Sequence, residues 1–116
     1  MKMTFKHAAR QAAFAVTATA SLGLAGAAPA APAAQTYTIT MANMSYGSVP
    51  SGVKVGDTIL WVNRDTVLHT ATARDHSFDL RIAPGKTAKL VVQKPGSIAF
   101  YCILHAAMRG TLTVAP

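Results

Sequence analysis

"SIAFYCILHAAMRGTLTV", Ser97–Val114, holds the chain's one cysteine, Cys102, with His105 and Met108 following at intervals of three. Its two ends, "IAFYC" and "GTLTV", are short, rich in β-branched and aromatic residues, and read as strands. The segment is therefore two strands joined at one end of a β-structure by a loop carrying a thiol, an imidazole and a thioether. A tight, helix-like turn would bring side chains spaced by three to one side.

Working outward, the same grammar recurs. "QTYTITM" alternates Tyr37, Ile39 and Met41 against threonines; "DTILWVNR" and "LHTATAR" read as further strands; "TAKLVVQ" alternates again. "SYGSVPSG" reads as a loop, "APGK" (after "FDLRI") and "KPGS" as turns. No amphipathic helix and no internal repeat is evident. About seven short strands separated by Gly/Pro turns predict an all-β fold, sandwich or barrel, in one domain.

The N-terminal third is different. Lys2, Lys6 and Arg10 precede an uncharged run from Gln11 to Ala28, and "APAAPAAQ" follows. Basic, apolar and small-residue regions in that order predict a secretory signal peptide over residues 1–34, cleaved after Ala30, Ala33 or Ala34. Thr17, Thr19, Ser21 and Gly23 weaken the apolar run as a permanent span of about 20 residues. Arg10 has no adjacent arginine, so the general export route is expected, with delivery to the periplasm and no stable membrane span after cleavage.

The domain left at 35–116 has eight basic residues and four aspartates, a balance of +4 against +7 for the whole chain. The basic residues are scattered singly and no nucleic-acid motif accompanies them. One cysteine excludes an internal disulfide, although export places the chain where disulfides persist. The thiol is then buried, bonded to another chain, or held by a metal. A domain this small gains stability from a bound metal.

Cys102, His105 and Met108 need a further ligand; His69 is the first candidate and His76 the other. Thiolate, two imidazoles and a thioether form the soft mixed set of mononuclear blue-copper sites, where methionine is a weak axial donor. Met is a poor zinc ligand, and structural zinc usually has paired cysteines. The C-x-x-C-H of a c-type haem is absent. A Cys–His nucleophilic pair would need a substrate cleft that 82 residues hardly accommodate.

Three segments resemble one family: "VKVGDTILWVNRDTVLHTAT", "FDLRIAPGKTAKLVVQKPGSIAFYC" and "CILHAAMRGTLTV". From Gln35 to Val114 the chain resembles the cupredoxins, specifically the short amicyanin-like branch of the plastocyanin/azurin group. The C-x-x-H-x-x-M loop is the most specific match. The resemblance implies a Greek-key β-sandwich, one copper ion (Cu2+/Cu+) on His69, Cys102, His105 and Met108, and single-electron transfer without enzymatic turnover. It also implies that His105 reaches the surface inside an apolar docking patch of Ile103, Leu104, Ala106 and Ala107, rimmed by Arg109. Asn63 and Thr70 correspond to positions supporting the ligands. Expected partners are redox proteins, a c-type cytochrome or a periplasmic dehydrogenase among them, docking on a monomer. A copper delivery or sequestration protein with the same ligands is the alternative. Two departures stand out: "ILHAA" lacks the prolines that flank this histidine in amicyanins, and Thr70 occupies a position where they carry Asn.

Overall fold

The computed structural model describes residues 33–116. The signal-peptide reading falls mostly on residues 1–32, outside the described residues. Nine strands follow in order: β1 (Thr36–Ala42), β2 (Ser45–Tyr46), β3 (Val53–Lys54), β4 (Thr58–Asn63), β5 (His69–Ala73), β6 (Asp79–Ile82), β7 (Thr87–Val91), β8 (Gly96–Tyr101) and β9 (Arg109–Ala115). They form two sheets, ordered β2-β1-β4-β7 and β3-β9-β8-β5-β6, and no helix occurs among the described residues. The all-β sandwich with Greek-key connectivity is as expected; the strand count is nine rather than about seven. The extra strands, β2 and β3, have two residues each, too few for any periodicity. They lie in and beside "SYGSVPSG", read as a loop, and exist because longer strands offer them partners.

Alternation decides which face of each strand is covered. Along β4, Ile59, Trp61 and Asn63 are buried while their neighbours are half-buried. β1 runs parallel to β4 with Ile39 opposite Trp61, and β7 runs antiparallel on the other side with Ala88 opposite Trp61. In the second sheet β8 and β9 pair Ile98 with Leu112 and Phe100 with Gly110. The two inner faces meet on an aromatic cluster. Phe100 makes edge contacts with Tyr46 (4.9 Å between centroids) and Trp61 (5.2 Å), each such pair contributing about 0.5–1.5 kcal/mol beyond its buried area. At the end where β1, β3 and β4 start, the buried Asp57 carboxylate accepts the amides of Gln35 and Lys54, both at 2.8 Å. Those two bonds hold its pKa below the ordinary carboxylate value.

Gly110 shows how closely the layers fit. A Cβ placed there would lie 2.5 Å from Phe100 Cζ and 2.9 Å from Cε2, and Phe100 is wedged against Tyr46 and Trp61. Gly110→Ala should therefore cost about 2 kcal/mol, lowering Tm by roughly 10 °C in a domain of this size. Thermal unfolding followed by circular dichroism checks this. A loss under about 2 °C would mean that the ring retreats freely.

Candidate metal centre

The β8–β9 ladder fixes the loop by its ends. Tyr101 pairs with Arg109, so residues 102–108 must close over that pair. They do so by two successive turns: the His105 amide donates to Cys102 O (3.3 Å) and the Met108 amide to His105 O (2.8 Å). The Cys102 amide then donates across to Met108 O at 3.0 Å. The expected three-residue turns thus form, with Cys102 and Met108 buried and His105 half-buried.

His69, the first residue of β5, comes to the same place from the other side and is fully buried. Its Nδ1 lies 3.9 Å from Cys102 Sγ, and His105 Nδ1 lies 3.6 Å from the same sulfur. The ring centroids are 5.2 Å apart, and the three donor atoms all lie within 4.8 Å of one another. His76, the other candidate, is exposed at a left-handed position (φ 66°) outside this cluster.

Tautomer and charge suit a soft cation. His69 Nε2 sits 2.7 Å from Asp65 Oδ2, so in the neutral ring the proton resides on Nε2 and the Nδ1 lone pair faces the sulfur. Asp65 is itself held by the amides of Asn43 (2.7 Å) and Met44 (3.0 Å). The His69 contact first, then these amides, keeps its pKa low. For Cys102, burial opposes ionisation. The Thr70 amide (3.3 Å from Sγ), the His105 and His69 rings when their facing nitrogens carry the proton, and the Leu104 amide outweigh it and bring the thiol down to about 6. A readily ionised thiol beside two imidazole nitrogens fits a monovalent or divalent soft metal better than it fits an inert core.

Asn63 and Thr70 are both buried and hydrogen-bonded beside this cluster. Asn63 is buried; its Nδ2 donates to Val67 O (2.8 Å) and Ile82 O (2.9 Å), and its Oδ1 accepts the Asp65 amide (2.9 Å). It thereby ties the loop before His69 to β6 in the opposite sheet. Thr70 Oγ1 accepts the Ile103 amide at 2.8 Å, so a hydroxyl joins the residue after His69 to the loop that carries Cys102 and His105. Ile103, Leu104, Ala106, Ala107 and Arg109 are all exposed, and Met44 and Val67 add exposed apolar surface from neighbouring loops.

Sequence reasoning missed Asp65 and Tyr46. Tyr46 donates its hydroxyl to Thr70 O and packs edge-on against Phe100. An Asp four residues before a histidine is a weak signal in "NRDTVLH", and "SYG" carries none.

A family model described as a cupredoxin-like domain matches residues 9–114. Among solved structures, a Cu(I) form of an amicyanin variant is 26% identical over 68% of this chain and 81% of that one, with a TM-score of 0.58. A second amicyanin variant, reduced and in the Cu(I) form at pH 4, is 27% identical over the same shares, with a TM-score of 0.59. Amicyanin from Paracoccus versutus (Thiobacillus versutus) is 21% identical over 68% of this chain and 80% of its own, TM-score 0.59, a likeness of fold. Among curated proteins, none matches.

Proposed function

We propose that this chain, which belongs to the cupredoxin-like family, is a mononuclear blue-copper protein that carries single electrons between periplasmic redox partners. The observation that carries the reading is the donor cluster: two imidazole nitrogens directed at one low-pKa thiol, buried except where His105 reaches the surface. His69, Cys102 and His105 would hold the metal, with the Met108 thioether as a weak fourth donor. Copper bound there would supply a reversible one-electron couple between Cu(II) and Cu(I).

The chain's own residues do the rest. Asp65 and Asn63 hold His69 in one tautomer and position. The β8–β9 ladder and the Cys102–Met108 backbone bond hold the loop ligands, so little needs to move when the charge at the site changes. Exposed Ile103 and Leu104 around His105 suit brief docking of a redox partner, and Arg64 and Arg109 would favour an acidic one. Periplasmic delivery rests on residues 1–34 as a cleaved leader; the Gln35 amide, bound to Asp57, supports a folded domain starting there. No helix among the described residues is long and apolar enough to cross a membrane.

The test is a visible spectrum of the purified protein after one equivalent of Cu(II), then after ascorbate and reoxidation. An intense blue band that bleaches and returns without metal loss is the expected result. Rapid surrender of Cu(I) to a chelator on reduction would instead indicate delivery, and absence of the band would refute the copper reading.

A further inference from the structure

We infer that Asp79, on β6 and outside the ligand set, positions the ligand loop through a directional hydrogen-bond relay running Asp79–Thr72–Thr70–Ile103. The functional part of this inference rests on the copper reading above; the relay itself does not.

Thr70 and Thr72 lie two apart on β5 and so project from the same face of the strand. Asp79 is the register partner of Thr72 across the β5–β6 ladder. Thr72 Oγ1 is 2.8 Å from Asp79 Oδ1, the two threonine hydroxyl oxygens are 3.0 Å apart, and the Ile103 amide reaches Thr70 Oγ1 at 2.8 Å. A hydroxyl has one proton, and an ionised carboxylate can only accept. The Thr72 proton therefore goes to Asp79. The Thr70 proton must then go to Thr72, which leaves a Thr70 lone pair for the Ile103 amide. Only one order of donors satisfies every member.

The carboxylate charge thus imposes a direction on the whole chain, and each bond polarises the next. Both threonines are buried while Asp79 is exposed, so the charge that orders the relay stays in solvent. At the far end, the Ile103 amide adjoins Cys102, and the Thr70 amide donates to Cys102 Sγ. Thr70 therefore grips the loop backbone and the sulfur together. In a loop without prolines, this relay supplies restraint that covalent rings would otherwise give.

The experiment uses Thr72→Val, which keeps the shape and removes the hydroxyl; Thr72→Ser, which restores it; and Asp79→Ala on the edge strand. Amide hydrogen exchange is read by NMR in the metal-free protein. Thr72→Val and Asp79→Ala should each accelerate exchange at Ile103 by about tenfold relative to the Trp61 amide in mid-β4, and Thr72→Ser should return it to the wild-type rate. In copper-loaded protein the same two disruptive variants should shift the reduction potential and the ratio of the thiolate–copper bands, with Ser again rescuing. Wild-type exchange at Ile103 in both disruptive variants would overturn the relay, as would acceleration shared equally by Trp61. An unchanged potential and band ratio beside accelerated exchange would overturn its role at the metal. Because exchange needs no copper, failure of the site to take copper would leave the relay result standing. If Thr72→Val does not fold, Asp79→Ala decides the question alone.

Discussion

Cys102→Ser should give a folded protein that takes no blue colour with Cu(II). Serine is smaller, and the Thr70 amide, 3.3 Å from the sulfur, can donate to its oxygen instead. What serine cannot supply is an anion: the site brings a thiol down to about 6, but a hydroxyl starts far outside any range that two imidazoles and an amide can reach. Without a thiolate the soft donor that suits Cu(I) is gone. The loss is readable as stability as well as colour. Metal bound to the native state at about a hundred times its Kd adds about 2.7 kcal/mol, or more than 10 °C in Tm for a domain of this size. Copper should therefore raise the Tm of the wild type by that order and of the serine variant by little. A serine variant with an unchanged thermal gain would show that copper binds elsewhere.

The second large effect belongs to Asn63. Removing its amide strips partners from Val67 O, Ile82 O and the Asp65 amide at a buried site. Leaving such groups unpaired costs about 1–3 kcal/mol, and with partial relaxation Asn63→Ala should lose about 3 kcal/mol by urea unfolding. Asn63→Asp should not rescue it, because a carboxylate cannot donate to two carbonyls and would face both of them with like charge. The functional consequence is specific. Ile82 is the register partner of His69, and Asp65 holds the His69 ring, so the variant loosens His69 while leaving the Cys102 loop intact. A broadened or altered copper spectrum with the thiolate band still present is the signature. A loss below about 1 kcal/mol would show that solvent replaces the amide.

These cases show what the sequence could and could not disclose. The longer strands were legible because "QTYTITM" and "TAKLVVQ" alternate, and because "DTILWVNR" and "IAFYC" are rich in β-branched and aromatic residues. The loop donors were legible because Cys102, His105 and Met108 are local, and turn geometry converts their spacing into proximity. β2 and β3 were not, since two residues have no period and their pairing depends on strands remote in the chain. Asp65 and Tyr46 escaped for a related reason. Their roles come from where a carboxylate and a phenol end up after folding, and ordinary surface residues share their sequence context. His69 lay between: its place beyond a strand made it the first candidate ahead of His76, and the resemblance then matched it to a ligand position.

The β3–β9 ladder has a consequence for the order in which the molecule can form. Val53 pairs in parallel with Val114, and β1 pairs in parallel with β4. The first of these ladders has no partner until almost the whole chain is available, because β9 is the last strand. Folding thus waits on contacts remote in sequence, which places the domain among the slower topologies, in milliseconds to seconds. On the proposed export route, that delay keeps the emerging chain in the unfolded form that translocation requires.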